Sequence, residues 1–388
     1  MLATGTPAFN PFLTCVIPRA YCDSTLMHSI LATSAAHLSY KLGDGGNPVI
    51  VEAAMRKHYL EVVRDLQHDI ASCHLRDGRC ISQLLLILAF LCHYEVLACS
   101  PSAAFSMHLR ALGRLFLNLH NDKQASGLLE TDETLELALE VYLYLTLSNS
   151  ILPPLVFDPA TMYSDEMMRL YRTLDQYTYT PGTIFAGCRS LFELIPEAKA
   201  LHTWRSAEQA AGVVDPSPEF IEALEHLTLQ INAWHLDQQG YTGNAKLLNR
   251  YLDKVQQTQQ SMAAECMRHA LHIYTMSSVA GSAAASAALR ESTQYHVDVI
   301  FWLSWQLEDS PASSNTLWAT VIMGTCLEDE ERRTVLAEGL RNSRLKMRHL
   351  SLVRMALEKL WSDEDERAWG PQGLEFVMMK NGMEMFIL

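Results

Sequence analysis

The sequence predicts an all-α protein, a single large domain of many helices packed antiparallel. Three observations carry this. Apolar residues recur at helical spacing along nearly the whole chain. Capping residues, glycines and prolines punctuate that pattern at helix-length intervals. Strand candidates are nearly absent: Leu152 to Phe157, the best run, contains two prolines.

The elements follow in order. Ser24 caps a helix through LMHSILATSAAHLSYKL, which Gly43, Asp44, Gly45 and Gly46 end. Pro48 opens VIVEAAMRKHYLEVVRDLQHDIASC. The third helix, SQLLLILAFLCHYEVLA, is apolar on nearly all sides and should be central and buried. Pro101-Ser102 starts AAFSMHLRALGRLFLNL. Thr131 to Thr134 lead into LELALEVYLYLTLSNSIL, which Pro153-Pro154 stop. Residues 153–183, rich in Pro, Asp, Thr and Tyr, are an irregular connector. Helical patterning resumes at 184–202, 217–238, 244–276, 290–307, 315–326 and 328–361, and the small-residue stretch 277–288 is a loop or a close helix contact. No repeat of fixed period occurs. Core-forming helices lie on both sides of the connector, so residues 1–388 are expected to form one domain.

Composition excludes several classes. The chain has 388 residues, 49% hydrophobic and 19% charged, too apolar for disorder. Its longest apolar run, Leu84 to Cys92, falls far short of the roughly 20 residues that span a bilayer. The first twenty residues lack a basic region followed by a continuous apolar one, so no secretory signal is expected. The nine cysteines are odd in number and mostly lie in apolar stretches (Cys92, Cys266, Cys326), as free buried thiols of an intracellular protein would. A net charge of −14 opposes autonomous binding to a phosphate backbone.

Several segments resemble the second type of fungal-specific transcription factor domain. NPFLTCVIPRAY followed by LMHSILATSAAHLSY resembles that family's "NPF…LP…LLHAILALSAAHL" opening. LLLILAFLCHYEVLA and SMHLRALGRLF resemble its "LLLCLYELLSG" and "WxxHLxGAxxLL" helices, and LWATVIMGTCLEDEERRTVL resembles "LWPLFIAGCEAxxEEDRxxV". These are helix-packing patterns, informative about fold and poor in chemistry. The zinc-cluster array C-x2-C-x6-C is missing. Cys15/Cys22, Cys73/Cys80 and Cys92/Cys99 have the x6 spacing without the C-x2-C partner or basic flanks. Eight residues separate Met1 from the NPF triplet, so the domain is expected to stand alone with no zinc cluster.

Two functional readings follow from the resemblance. Stand-alone fungal α-humulene synthases are similar to this family, so the first reading is a Mg²⁺-dependent sesquiterpene cyclase acting on farnesyl diphosphate. It is placed first because loss of the DNA reader removes a regulator's evident output. The second is a transcriptional regulator that reaches DNA through a DNA-binding partner protein. The expected partner is thus an isoprenyl diphosphate or that protein, with a second copy of the chain compatible with either, and the location is cytoplasmic or nuclear accordingly.

The cyclase reading requires acidic ligands for Mg²⁺ and an apolar, aromatic-lined cavity. No D-D-x-x-D box exists. Glu61/Asp65/Asp69 and Glu330/Thr334/Glu338 lie opposite their helices' apolar stripes and read as solvated faces, and Asp122/Ser126/Glu130 reads as a loop. The catalytic candidates are single polar groups inside apolar helices: Glu95, Glu140, Asn149 and Asp298. A buried carboxylate requires a partner, so each is a satisfied core group, a helix-end residue nearer solvent than it looks, or part of a site. Arg268, beside Glu265 and His269, is a candidate diphosphate ligand or a member of an ordinary interhelical ion pair. Met262, Met267, Tyr274, Trp302 and Trp305 are candidate cavity walls or plain core. Arg341, Arg344, Lys346, Arg348 and Arg354 form the densest basic run, a phosphate contact or a charged helix surface. Signatures such as G-x-S-x-G, G-x-G-x-x-G, the P-loop and H-E-x-x-H are missing.

Overall fold

Long apolar helices in water hide their side chains by packing on one another, and here two of them serve as axles. The computed structural model describes residues 10–42, 48–72, 78–100, 102–121, 133–153, 184–185, 187–235, 254–344 and 346–387. Among these residues the structure is helical, without strands. The bulk of the 153–183 connector, the Asp122/Ser126/Glu130 triplet, Cys73 and the stretch 244–253 lie outside the described residues.

A π-helical turn, Phe12–Val16, runs into Ile17–Ala20, followed by α1 (Ser24–Leu42), α2 (Pro48–Ser72), α3 (Gly78–Ala98), α4 (Ser102–Asn121) and α5 (Glu133–Asn149). The first axle is α3. Every residue from Leu84 to Leu97 is buried, and α1, α4 and α5 pack around it, with α2 laid on α1. Ile81–Ala98 is long and apolar enough to cross a membrane, because Ser82, Gln83, His93 and Glu95 interrupt the apolar run without offsetting it. It is nevertheless mostly buried inside the fold.

The second half comprises Arg189–Phe192, α6 (Ile195–Ala210), α7 (Pro218–Ala233), α8 (Lys254–Ser277), α9 (Ala287–Gln306), α10 (Leu317–Thr325), α11 (Glu330–Asn342), α12 (Arg348–Trp361) and α13 (Gly370–Asn381). Here α8 is the axle, touching α6, α7, α9, α10 and α13, and α12 reaches back to α3.

Two boundaries differ from the sequence expectation. The 184–202 segment is two helices, because Pro196 has to occupy a first turn rather than an interior. The 328–361 segment is also two, one ending at Asn342 and the next starting at Arg348, with Asp329 capping α11 by accepting from Arg332 N at 2.8 Å. The small-residue stretch is both a loop and a close contact. Ser278–Ala280 forms a 3₁₀ turn, and Gly281 (φ +55°) lies where a Cβ would come within 2.4 Å of Gln209.

Gly324 sets the geometry that matters below. A Cβ there would meet Leu336 at 2.8 Å and Leu357 at 3.0 Å, so its absence lets α10 approach α11 and α12 closely. Trp361 Nε1 locks that approach by donating to Gly324 O at 2.8 Å.

Candidate functional site

Buried polar groups must find partners, and the structure shows where each candidate finds its own. Glu95 on α3 accepts from Tyr59 of α2 at 2.7 Å and lies 3.4 Å from His108 Nε2 of α4. Burial opposes its ionisation, but the nearby His108 and Ser100 and the hydrogen bond from Tyr59 outweigh this and hold the carboxyl below its ordinary pKa. It fastens three helices together. Glu140 on α5 accepts from Ile184 N at 2.9 Å and anchors the chain that enters Arg189–Phe192.

Asn149, fully buried at the end of α5, acts as a peptide mimic. Its Nδ2 donates to Leu145 O (2.8 Å) and Ile387 O (2.9 Å), and its Oδ1 accepts from Ile387 N (2.7 Å). The amide thereby docks the C-terminal tail against the first half of the fold.

Asp298 corrects the expectation of a buried acid. It is exposed on α9, accepts from Gln294 at 2.8 Å and pairs with Arg332 at 2.5 Å. The helix buries Thr293, Val297, Ile300 and Leu303, and Asp298 lies beside that stripe rather than on it. Trp302 is likewise 56% exposed and Trp305 72%, so Trp302 does not line an enclosed cavity. Arg268 donates to Glu265 at 2.6 and 3.0 Å, an i,i+3 ion pair. Met262 packs half-buried against the core, and Tyr274 meets Trp318 edge-on at 6.1 Å within it. In the basic run, Arg344 pairs with Asp309, Arg348 donates to Ala98 O and Arg354 pairs with Glu358, three separate engagements. The polar candidates thus go to separate seams and do not converge on one cavity.

A cavity of about 450 Å³ lies instead where α9, α10, α11 and α12 meet. Phe301 and Trp305, Met323, Leu336 and Leu340, and Met347 supply its apolar walls, while exposed Glu308, Glu338 and Arg344 stand at its rim. At its base lies His349, 1% exposed, with neither ring nitrogen hydrogen-bonded to the protein. Burial first, then the neighbouring His93 and His37, push its pKa down to about 3, so the imidazole is neutral. The largely apolar lining thus includes a neutral imidazole whose N–H and lone pair have no partner in the protein.

Trp305 belongs to this wall and also to an exposed aromatic face. Tyr295, Trp302 and Trp305, spaced by seven and three residues, share one side of α9 and stand open to solvent.

Sequence reasoning also missed a histidine cluster between α8 and α9. His269 Nδ1 lies 2.7 Å from His296 Nδ1, and the His272 ring stacks on His296 at 4.7 Å. Burial pushes His269 and His296 down to about 4 and His272 to about 3. Among the described residues, no group of three or more His, Cys, Asp or Glu side chains has the geometry to hold a metal ion. The i,i+3 pair His269/His272 was visible in the sequence, but its cross-helix partner was not.

Neither the curated proteins nor the solved structures contain a match to this chain. The profile of the fungal specific transcription factor domain, by contrast, matches residues 1–387. That span includes both helical axles, the Gly324 approach and the cavity beside it, and the chain therefore belongs to the fungal-specific transcription factor domain family.

Proposed function

We propose that the chain is a regulator of transcription that takes a small, largely apolar effector in the cavity above His349 and reaches DNA through a DNA-binding partner protein. The observation that carries this reading is the double membership of Trp305, in the cavity wall and in the exposed face of α9, within a chain whose family is regulatory. An effector in the cavity touches the side chain that a partner would touch. An aromatic face of three large side chains on one helix suits a partner with an apolar surface. The net charge of −14 favours delegation of DNA contact to that partner. The working location is then nuclear.

The cyclase reading asks for an enclosed apolar cavity with two carboxylates and a basic group. The rim of Glu308, Glu338 and Arg344 comes nearest to it, but these groups are exposed around an open cleft. The candidates Glu95, Glu140 and Asn149 hold helices instead.

The test is chromatin occupancy of the tagged chain in its native host, paired with gel shifts of the purified chain on the recovered fragments. The reading expects occupancy at discrete promoters, loss of it in Trp302→Ala/Trp305→Ala, and no shift by the chain alone. Unassisted, sequence-selective binding by the purified chain, or no occupancy at all, would refute it.

A further inference from the structure

A second cavity, of about 200 Å³, is walled by α6, the loop after α8 and the start of α13. Its chemistry differs from that of the first. Trp369 is 7% exposed, yet its indole N–H has no hydrogen-bond acceptor in the protein. Gln372 and His202, on the same walls, each carry a buried nitrogen without a partner, Nε2 and Nδ1 respectively. Arg367 adds a guanidinium, held by Asp365 at 2.8 and 2.9 Å and laid over the Phe376 ring at 4.2 Å. No side chain caps the N-terminus of α13, which opens onto the same walls.

We infer that this cavity binds a small carboxylate. An indole N–H and a guanidinium only donate, and the unpartnered atom of Gln372 is the donor end of its amide. Burying such donors unpaired is costly, and the residues that carry them line one cavity, which suits an occupant rich in lone pairs. A carboxylate offers about four acceptor sites in one plane. The one acid on the wall, Glu375, does not oppose it. Burial raises its pKa, and Lys199 Nζ lies 3.8 Å away to balance its charge. At about 30 Å³ for each water-sized group, the space takes about seven such groups. Ala280, Ala283, Phe376 and Met379 supply an apolar side for a short aliphatic or single-ring tail. The site is independent of the cavity above His349 and stands or falls without it.

The indole N–H of Trp369 reports directly on the occupant. The uniformly ¹⁵N-labelled chain contains seven tryptophans, and Trp369→Phe identifies which indole signal belongs to this residue. Hexanoate and benzoate are titrated against hexanamide and benzamide, which match them in size without the charge. The inference expects the Trp369 signal to move saturably with the acids and at least about 10-fold more weakly with the amides. Gln372→Met, which keeps the side-chain length, should weaken the acids by about 10-fold. A signal unmoved by either acid overturns the site. Equal response to acids and amides overturns the carboxylate.

Discussion

Asn149→Ala should release the C-terminal tail. The substitution removes two bonds to Ile387 and one to Leu145, at 2.9, 2.7 and 2.8 Å. Ile387 O keeps a weak contact with Ser148 Oγ at 3.4 Å, but Ile387 N–H is left buried without an acceptor. An orphaned buried donor costs about 1–3 kcal/mol and each lost neutral hydrogen bond about 1 kcal/mol, so the variant should lose about 3–5 kcal/mol. Phe386, buried against Phe105 at 4.2 Å between ring centres, holds the same tail by apolar contact, and Phe386→Ala should lose about 3–4 kcal/mol. Once either grip is gone the other secures little, so the double variant should fall short of the sum by about 1–3 kcal/mol. Urea unfolding followed by fluorescence, with unchanged m-values, measures all four corners. A loss below about 1 kcal/mol for Asn149→Ala, or additivity within about 0.5 kcal/mol, would refute the tail-clamp argument.

Two further outcomes are expected. Purified chain incubated with farnesyl diphosphate and Mg²⁺, with and without EDTA, should give no sesquiterpene by gas chromatography; an EDTA-sensitive hydrocarbon would displace the regulator reading and direct mutation to Glu308, Glu338 and Arg344. Stability should fall as pH drops from about 6.5 towards 4, because burial lowers His93, His202, His269 and His296 to about 4 and His272 and His349 to about 3. An unfolded histidine takes its proton near pH 6.5, so within that window the unfolded chain binds more protons and each buried ring contributes up to about 1.4 kcal/mol per pH unit. Urea midpoints between pH 7 and 5 measure the slope, which His349→Phe should reduce by about one proton; flat midpoints would contradict neutral burial.

The helices were legible because their signals are local. Pro48 and the all-apolar α3 each act within a turn or two, and α3 is the buried axle its composition implied, whereas the cap of α1 is Asp23, which accepts from Leu26 N at 3.0 Å, and not the expected Ser24. Boundaries failed where one residue outweighed a long pattern, as Pro196 did. Asp298 was misplaced for a related reason. α9 carries apolar side chains on both faces, and its composition could not say that Val297, Ile300 and Leu303 turn inward while Trp302 and Trp305 turn outward. A face is chosen by what packs against it, and here that is α8 and α10.

The polar candidates show a second limit. Glu95, Glu140 and Asn149 were correctly read as buried groups needing partners, but the partners are Tyr59, Ile184 and Ile387, between 36 and 238 residues away. Each satisfies its hydrogen bonds by tying distant segments together, so burial inside an apolar helix marked a fastening point. The groups better suited to bind something are unsatisfied ones on residues that line a cavity, among them His349, Trp369, Gln372 and His202. Nothing in their local sequence sets them apart, since a histidine at helical spacing looks the same whether its nitrogens are paired or not. The difference arises only when helices close around a space, as α10, α11 and α12 do at Gly324. An unpaired donor beside a cavity is therefore stronger ground for a binding site in this fold than a paired acid within a core helix, because the first gains hydrogen bonds from an occupant and the second would have to give them up.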